Sequence, residues 1–238
     1  MPVKSAIVFG GAGALGRALV KELKGVYNPI SIDYALNPEC THNFKLDPNQ
    51  APQDQLRNFK LYYDNEFGGA TELSSVLSVA GGWEGEGIDS PKLFESYKSM
   101  MDKNLLSSLM AGHLAYRYLA NNGLLLFTGA EAVYNSRNPS MLTYSVSKSA
   151  VHALAADLSK EPKFQNRQIS VVTILPTVLD TENNRKAMPD VEKSTWLPTH
   201  KVAELTLSWI EGKNRPNNGT FVELNCERGA VIPKIKNK

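Results

Sequence analysis

One short segment, Gly10-Gly11-Ala12-Gly13-Ala14-Leu15-Gly16, narrows the fold of this chain more than any other. It stands between an apolar run, Ala6 to Phe9, and the helical pattern Leu15 to Leu23. Gly11, Gly13 and Gly16 give the spacing GxGxxG, which is common by itself but has a physical purpose as a strand-to-helix joint. Small residues let the backbone approach a pyrophosphate, and the first helical turn offers that anion unpaired N–H groups and the positive end of the helix dipole. Gly11 to Gly16 also has the spacing of a nucleoside-triphosphate loop. That loop needs Lys and then Ser or Thr next, whereas Arg17 and Ala18 stand there. The segment points to a dinucleotide.

Further apolar runs at Ile30 to Ile32, Val76 to Ala80, Leu124 to Phe127 and Ile169 to Leu175 read as buried strands. Helical patterns alternate with them, at Leu15 to Leu23, Leu93 to Leu119 and Tyr144 to Leu158. Alternation of this kind specifies an α/β fold: a doubly wound, mainly parallel Rossmann-type sheet with helices on both faces, because each parallel strand needs a right-handed crossover. No linker or repeat divides the chain, so one domain over residues 1–238 is expected. Thr177 to His200 is the longest stretch without a strand pattern. In such a fold it falls at the carboxyl edge of the sheet, which makes it a candidate substrate lid.

Asp33 ends the second strand, where an acidic residue bonds the adenosine ribose, and Tyr34 beside it belongs to the same candidate surface. The charge of Asp33 would repel a 2′-phosphate, so NADH is expected over NADPH, with NADPH the less favoured possibility. The bland alternative is a carboxylate that merely caps a turn.

Tyr144 and Lys148 are four apart at the start of a helical pattern and so share one face. A phenol is a poor acid or base at neutral pH, and a nearby ammonium would lower its pKa. The spacing therefore predicts a proton-exchanging pair. His152 lies on the same helical segment.

Composition excludes several functions. The net charge is +2 with Lys and Arg scattered, which does not suggest a nucleic-acid partner. No apolar run reaches membrane-spanning length, and the first residues leave no room for a signal peptide, so a cytoplasmic protein is expected. His42, His113, His152 and His200 are isolated, Cys40 and Cys226 form no CxxC, and no metal is expected. The basic end, Lys234, Lys236 and Lys238, reads as solvated and frayed. Asn218-Gly219-Thr220, formally a glycosylation acceptor, reads as a turn entering a strand. Met100-Met101 and the Tyr116/Tyr118 region read as helix packing.

With the glycine segment and the Tyr144/Lys148 pair in hand, the chain resembles the short-chain dehydrogenase/reductase family along its whole length. Within it, the chain is similar to the branch that reduces quinonoid dihydropterins. The most specific pieces are Val79-Ala80-Gly81-Gly82-Trp83, Leu179-Asp180-Thr181 with Asn184-Arg185-Lys186 and Met188-Pro189, and Gly212-Lys213-Asn214-Arg215-Pro216. The resemblance implies hydride transfer from NADH to a quinonoid dihydropterin, giving the tetrahydropterin that aromatic amino-acid hydroxylases use. It also implies a homodimer that meets through Leu93 to Leu119 and Tyr144 to Leu158. By the same resemblance Tyr144 is the proton donor, Lys148 holds the nicotinamide ribose, and Asn104 matches the family's helix asparagine. Ala80 and Gly81 line the cofactor site, and Thr177 stands where glycine is usual in the segment beside the nicotinamide.

Two departures refine this reading. Carbonyl-reducing members carry a serine where Glu131 stands between Ala130 and Ala132, and Val79 replaces the family's usual asparagine before Ala-Gly. The missing serine disfavours a carbonyl or alcohol substrate, which is the alternative function, and an intact Tyr144 and Lys148 disfavour a regulator that has lost catalysis. Trp83 after the paired glycines is a candidate substrate residue, a flat ring able to stack on a pterin. The alternative reading of Trp83 is a plain packing anchor for its loop.

Overall fold

The computed structural model describes residues 4–68, 73–136 and 138–236. In chain order the elements are β1 (Ser5–Phe9), α1 (Ala14–Leu23), β2 (Asn28–Asp33), β3 (His42–Lys45), α2 (Pro52–Phe67), β4 (Leu73–Ser78) and α3 (Leu93–Met100). There follow α4 (Ser107–Tyr118), β5 (Leu119–Thr128), α5 (Glu131–Tyr134), α6 (Leu142–Leu158), α7 (Pro162–Asn166) and β6 (Ser170–Pro176). The last are β7 (Leu179–Asp180), α8 (Glu182–Ala187), β8 (Leu197–Pro198), α9 (Thr199–Ile210), β9 (Thr220–Glu227) and β10 (Ala230–Lys236).

Eight strands form one sheet in the order β3-β2-β1-β4-β5-β6-β9-β10. All neighbours run parallel except β9 and β10. The alternation along β1 shows why two helical layers are needed. Ile7 and Phe9 enter one core with Phe59 of α2, Leu114 of α4 and Val151 of α6. Ala6 and Val8 enter the other with Leu19 of α1 and Trp209 of α9. A strand buried on both faces reads as an unbroken apolar run. The chain winds outward from β1 through β2 to β3 and from β4 the opposite way, so a crevice opens past the carboxyl ends of β1 and β4.

The helical pattern Leu93 to Leu119 is a continuous helix interrupted by a π-turn over Met101–Leu106, which links α3 to α4. π-turns of this kind gather at functional sites, and this one carries the buried Asn104. The basic end differs from its expectation. Lys234 and Lys236 belong to edge strand β10, paired in register with Glu223 and Phe221, and Lys236 Nζ donates to Glu223 at 2.8 Å. Ladder bonds and an ion pair hold what charge alone suggested would fray; Lys238 lies outside the described residues. Arg215, part of one family-like run, donates to the carbonyls of Trp209 and Ile210 and so finishes α9, and also to Asn122 at 2.7 Å.

Candidate active site

The turn after β1 makes the first half of the crevice. Gly10 sits at φ 95°, and a Cβ there would meet the Ala80 nitrogen at 2.4 Å, so β1 and β4 come together only through a glycine. Gly13 precedes α1 without a side-chain cap, which leaves the first N–H groups of the helix facing outward. The Asp33 carboxylate accepts from the Ala12 nitrogen at 3.0 Å and the Ala35 nitrogen at 3.3 Å. It therefore holds this turn together as well as presenting a charge at its rim. A cavity of about 370 Å³ opens here, lined by Gly10, Gly13, Asp33, Tyr34, Ala80 and Gly81.

Not every expected cofactor residue reaches that surface. Gly11 packs on Ser31, where a Cβ would stand 2.4 Å from its hydroxyl, and Gly16 packs under the Gly10 carbonyl, where a Cβ would stand 2.0 Å away. Leu15 is buried in the core and Ala14 is the first residue of α1. These four shape the loop and the helix start, and none of them lines this cavity. Lys103, Ser107 and Met110, from the π-turn and α4, line the cavity and were not foreseen, because nothing in the sequence brings that helix to the glycine loop. A close-approach turn, an uncapped helix start and a carboxylate at the far rim fit a dinucleotide.

The second half is a cavity of about 430 Å³ that shares Val79, Ala80 and Gly81 with the first. Its other walls bring together Trp83, Thr128, Tyr144, Lys148, Thr177 and Met188. Lys148 is buried and its Nζ donates to the Thr128 carbonyl at 2.8 Å. Burial pushes its pKa down to about 8 and pushes that of Tyr144 up to about 12. Tyr144 is thus shifted opposite to the expectation that Lys148 lowers its pKa: the two share a helix face, and loss of water around the phenol raises it. Tyr144 keeps its proton at neutral pH.

Asn104 and Lys148 border Gly81 together, where a Cβ would stand 2.8 Å from Asn104 Oδ1 and 3.4 Å from Lys148 Nζ. Asn104 Oδ1 accepts from the Gly82 nitrogen at 2.9 Å, and its Nδ2 donates to Ser147 Oγ at 2.9 Å. Ser147 Oγ in turn donates to the Tyr144 carbonyl at 2.8 Å. Asn104, expected to be catalytic, thus links the Gly82 turn to α6 through these hydrogen bonds. Trp83 stands at the cavity mouth, 58% exposed, and its indole N–H donates to Met141 Sδ at 3.3 Å. The Thr177 to His200 segment folds into a two-stranded β7–β8 pair and α8, and Leu179, Asn184 and Met188 overhang the cavity.

Two other hydroxyls line this half, and both are engaged. Thr128 Oγ1 donates to the Ser78 carbonyl at 3.0 Å and Thr177 Oγ1 to the Leu224 carbonyl at 3.3 Å. Glu131 begins α5, and its carboxylate accepts from the Asn135 side chain. Among the described residues no cluster of three or more His, Cys, Asp or Glu is placed to hold a metal, and no helix is long and apolar enough to cross a membrane.

Comparison with known proteins bears on the family and the fold. A family model described as short chain dehydrogenase matches residues 63–192, more than half of the chain. A relative named dihydropteridine reductase, from Dictyostelium discoideum, is 33% identical over 226 residues, covering 94% of this chain and 95% of that protein. A short chain dehydrogenase family protein from Francisella tularensis has the same fold. It has a TM-score of 0.75 and 22% identity, with 93% of this chain and 96% of that one covered. A short chain dehydrogenase from Burkholderia cenocepacia, solved in complex with NADP, gives a TM-score of 0.74 at 20% identity, with 95% and 97% covered. At such identities the solved structures speak for the fold alone.

Proposed function

This chain belongs to the short-chain dehydrogenase family of oxidoreductases, and from that premise we propose that it reduces a quinonoid dihydropterin to the tetrahydropterin with NADH. The observation that carries the reading is Tyr144, the one hydroxyl among the cavity-lining residues not donated to a backbone carbonyl in the hydrogen bonds described. Reducing a carbonyl calls for a second donor on the developing oxyanion, and Glu131 stands where carbonyl-reducing members carry a serine. A quinonoid ring is already electron-poor and needs only a hydride and a proton.

A nicotinamide held along the glycine half would supply the hydride. Tyr144, whose hydroxyl faces the second cavity, delivers the proton from its phenol oxygen. Lys148, fixed on the Thr128 carbonyl, holds the floor between the two halves. Trp83 offers the pterin a flat face, and the Asp33 charge disfavours a 2′-phosphate, which supports NADH over NADPH. The relative named dihydropteridine reductase supports the same substrate.

A homodimer formed through α3 and α6 accompanies this reading. Phe94 is 82% exposed and Ile88 73% exposed beside a groove that Leu142 and Val146 of α6 also line. The buried, unpaired thiols of Cys40 and Cys226 suit a reducing compartment such as the cytoplasm. Mixing the protein with NADH and freshly generated quinonoid dihydropterin tests the reading. NADH absorbance is expected to fall only when both are present; no oxidation with the pterin overturns it.

A further inference from the structure

Tyr144, Lys148 and His152 recur every four residues along α6, so three side chains form one stripe toward the sheet. The first two face the second cavity. The third meets the chain just behind its wall. His152 Nε2 lies 3.2 Å from the Ala130 nitrogen, and a backbone N–H can only donate, so Nε2 carries the lone pair. Contact is close: a Cβ on Gly129 would stand 2.3 Å from that same Nε2, so the glycine is needed to admit the ring. Tyr134 of α5 and Phe221 of β9 meet the imidazole edge-on at 5.9 and 5.7 Å and fix its plane.

We infer that His152 is a positioning residue of the reaction site, holding the Thr128-Gly129-Ala130 wall at a set distance from Tyr144. The inference rests on the placement of the reaction at Tyr144. Thr128 and Gly129 line the cavity, and the segment has three anchors: Lys148 Nζ on the Thr128 carbonyl, the Gly129 N–H on the Ile174 carbonyl at 2.8 Å, and His152 on the Ala130 N–H. Two of the three come from α6, the helix that carries the acid. One rigid element thereby sets both the phenol and the wall opposite it, the arrangement a precise site needs. Ala130 is 5% exposed, so without His152 its N–H has no water to turn to. In a chain with no serine on this wall, its backbone position is what shapes the pocket.

The test compares His152→Gln, which keeps an acceptor at similar reach, with His152→Leu, which removes it. For His152→Leu, kcat/KM with quinonoid dihydropterin is expected to fall on the order of tenfold to a hundredfold, with the NADH dissociation constant nearly unchanged. His152→Gln should recover most of the loss. Equal losses in both variants, or none in His152→Leu, overturn the inference. If His152→Leu does not fold, imidazole 15N shifts of the wild-type protein decide. A protonated Nδ1 with a bare Nε2 is expected, and a protonated Nε2 overturns the inference. That measurement uses no substrate, so it stands apart from the pterin assay: inactivity toward the pterin counts against the proposed function and leaves the tautomer result in place.

Discussion

The two halves of the crevice are built from different materials. The glycine half is backbone: a left-handed Gly10, an uncapped helix start and strands β1 and β4 in close approach, fixed by local turns. The other half is side chains, with Trp83, Thr128, Tyr144, Lys148 and Met188 arriving from four separate stretches of chain. On the proposed function, the backbone half, which tolerates little change, binds the cofactor, and the side-chain half decides the chemistry. Substitutions should therefore separate binding from turnover according to the half they touch.

The largest effect on cofactor binding should come from the backbone half. Gly10→Ala drives a Cβ onto the Ala80 nitrogen and strains a residue at φ 95°. NADH affinity, measured by fluorescence titration, should fall about a hundredfold, corresponding to roughly 3 kcal/mol. An unchanged affinity would detach the loop from the cofactor and break the comparison.

Lys148→Met sharpens it from the other side. Turnover should drop about a hundredfold, while the cofactor-free protein becomes more stable at neutral pH by about 1–3 kcal/mol, since a charge is no longer buried. The sign follows from the direction of the shift. Folding lowers the Lys148 pKa from 10.5 to about 8, so the folded state binds fewer protons in that window, and wild-type stability gains as pH rises through it. Chemical denaturation at several pH values should show the gap between variant and wild type closing above pH 8. A gap that widens would contradict the burial account.

Trp83→Ala should raise the pterin KM about tenfold while kcat and NADH affinity stay near wild type. A wild-type KM would return Trp83 to loop packing. The smallest effect lies outside both halves. Lys236→Met removes one of the donors that hold the Glu223 carboxylate near a pKa of about 2. A depressed carboxylate stabilises above its unfolded value and loses that contribution as pH falls through the folded one. A melting temperature lower by about 2 °C at neutral pH is expected, with the difference fading in acid and no change in turnover.

The same division explains what could be read from the sequence. Gly10 to Gly16 are contiguous and flanked by a strand and a helix, so their joint purpose shows in one window. Tyr144 and Lys148 lie one helical turn apart and show for the same reason. β3, with no buried residue, and α2, buried only at Gln55, Phe59 and Tyr63, carry weak patterns and did not stand out. Every residue of edge strand β10 except Val231 and Lys236 is exposed, so only its pairing reveals it. The Tyr144 pKa depends on how much water the fold removes, which spacing does not encode. Asn104 at Gly82 and His152 at Ala130 are both contacts across 22 residues. Such contacts exist only once the sheet has brought β4, β5 and α6 together.

The central claim, that one crevice binds with its backbone half and donates a proton with Tyr144, is tested most directly by Tyr144→Phe. The account predicts a NADH dissociation constant within about twofold of wild type and a kcat lower by about 10³ with the quinonoid dihydropterin. Unchanged turnover, or loss of NADH binding together with turnover, would contradict it.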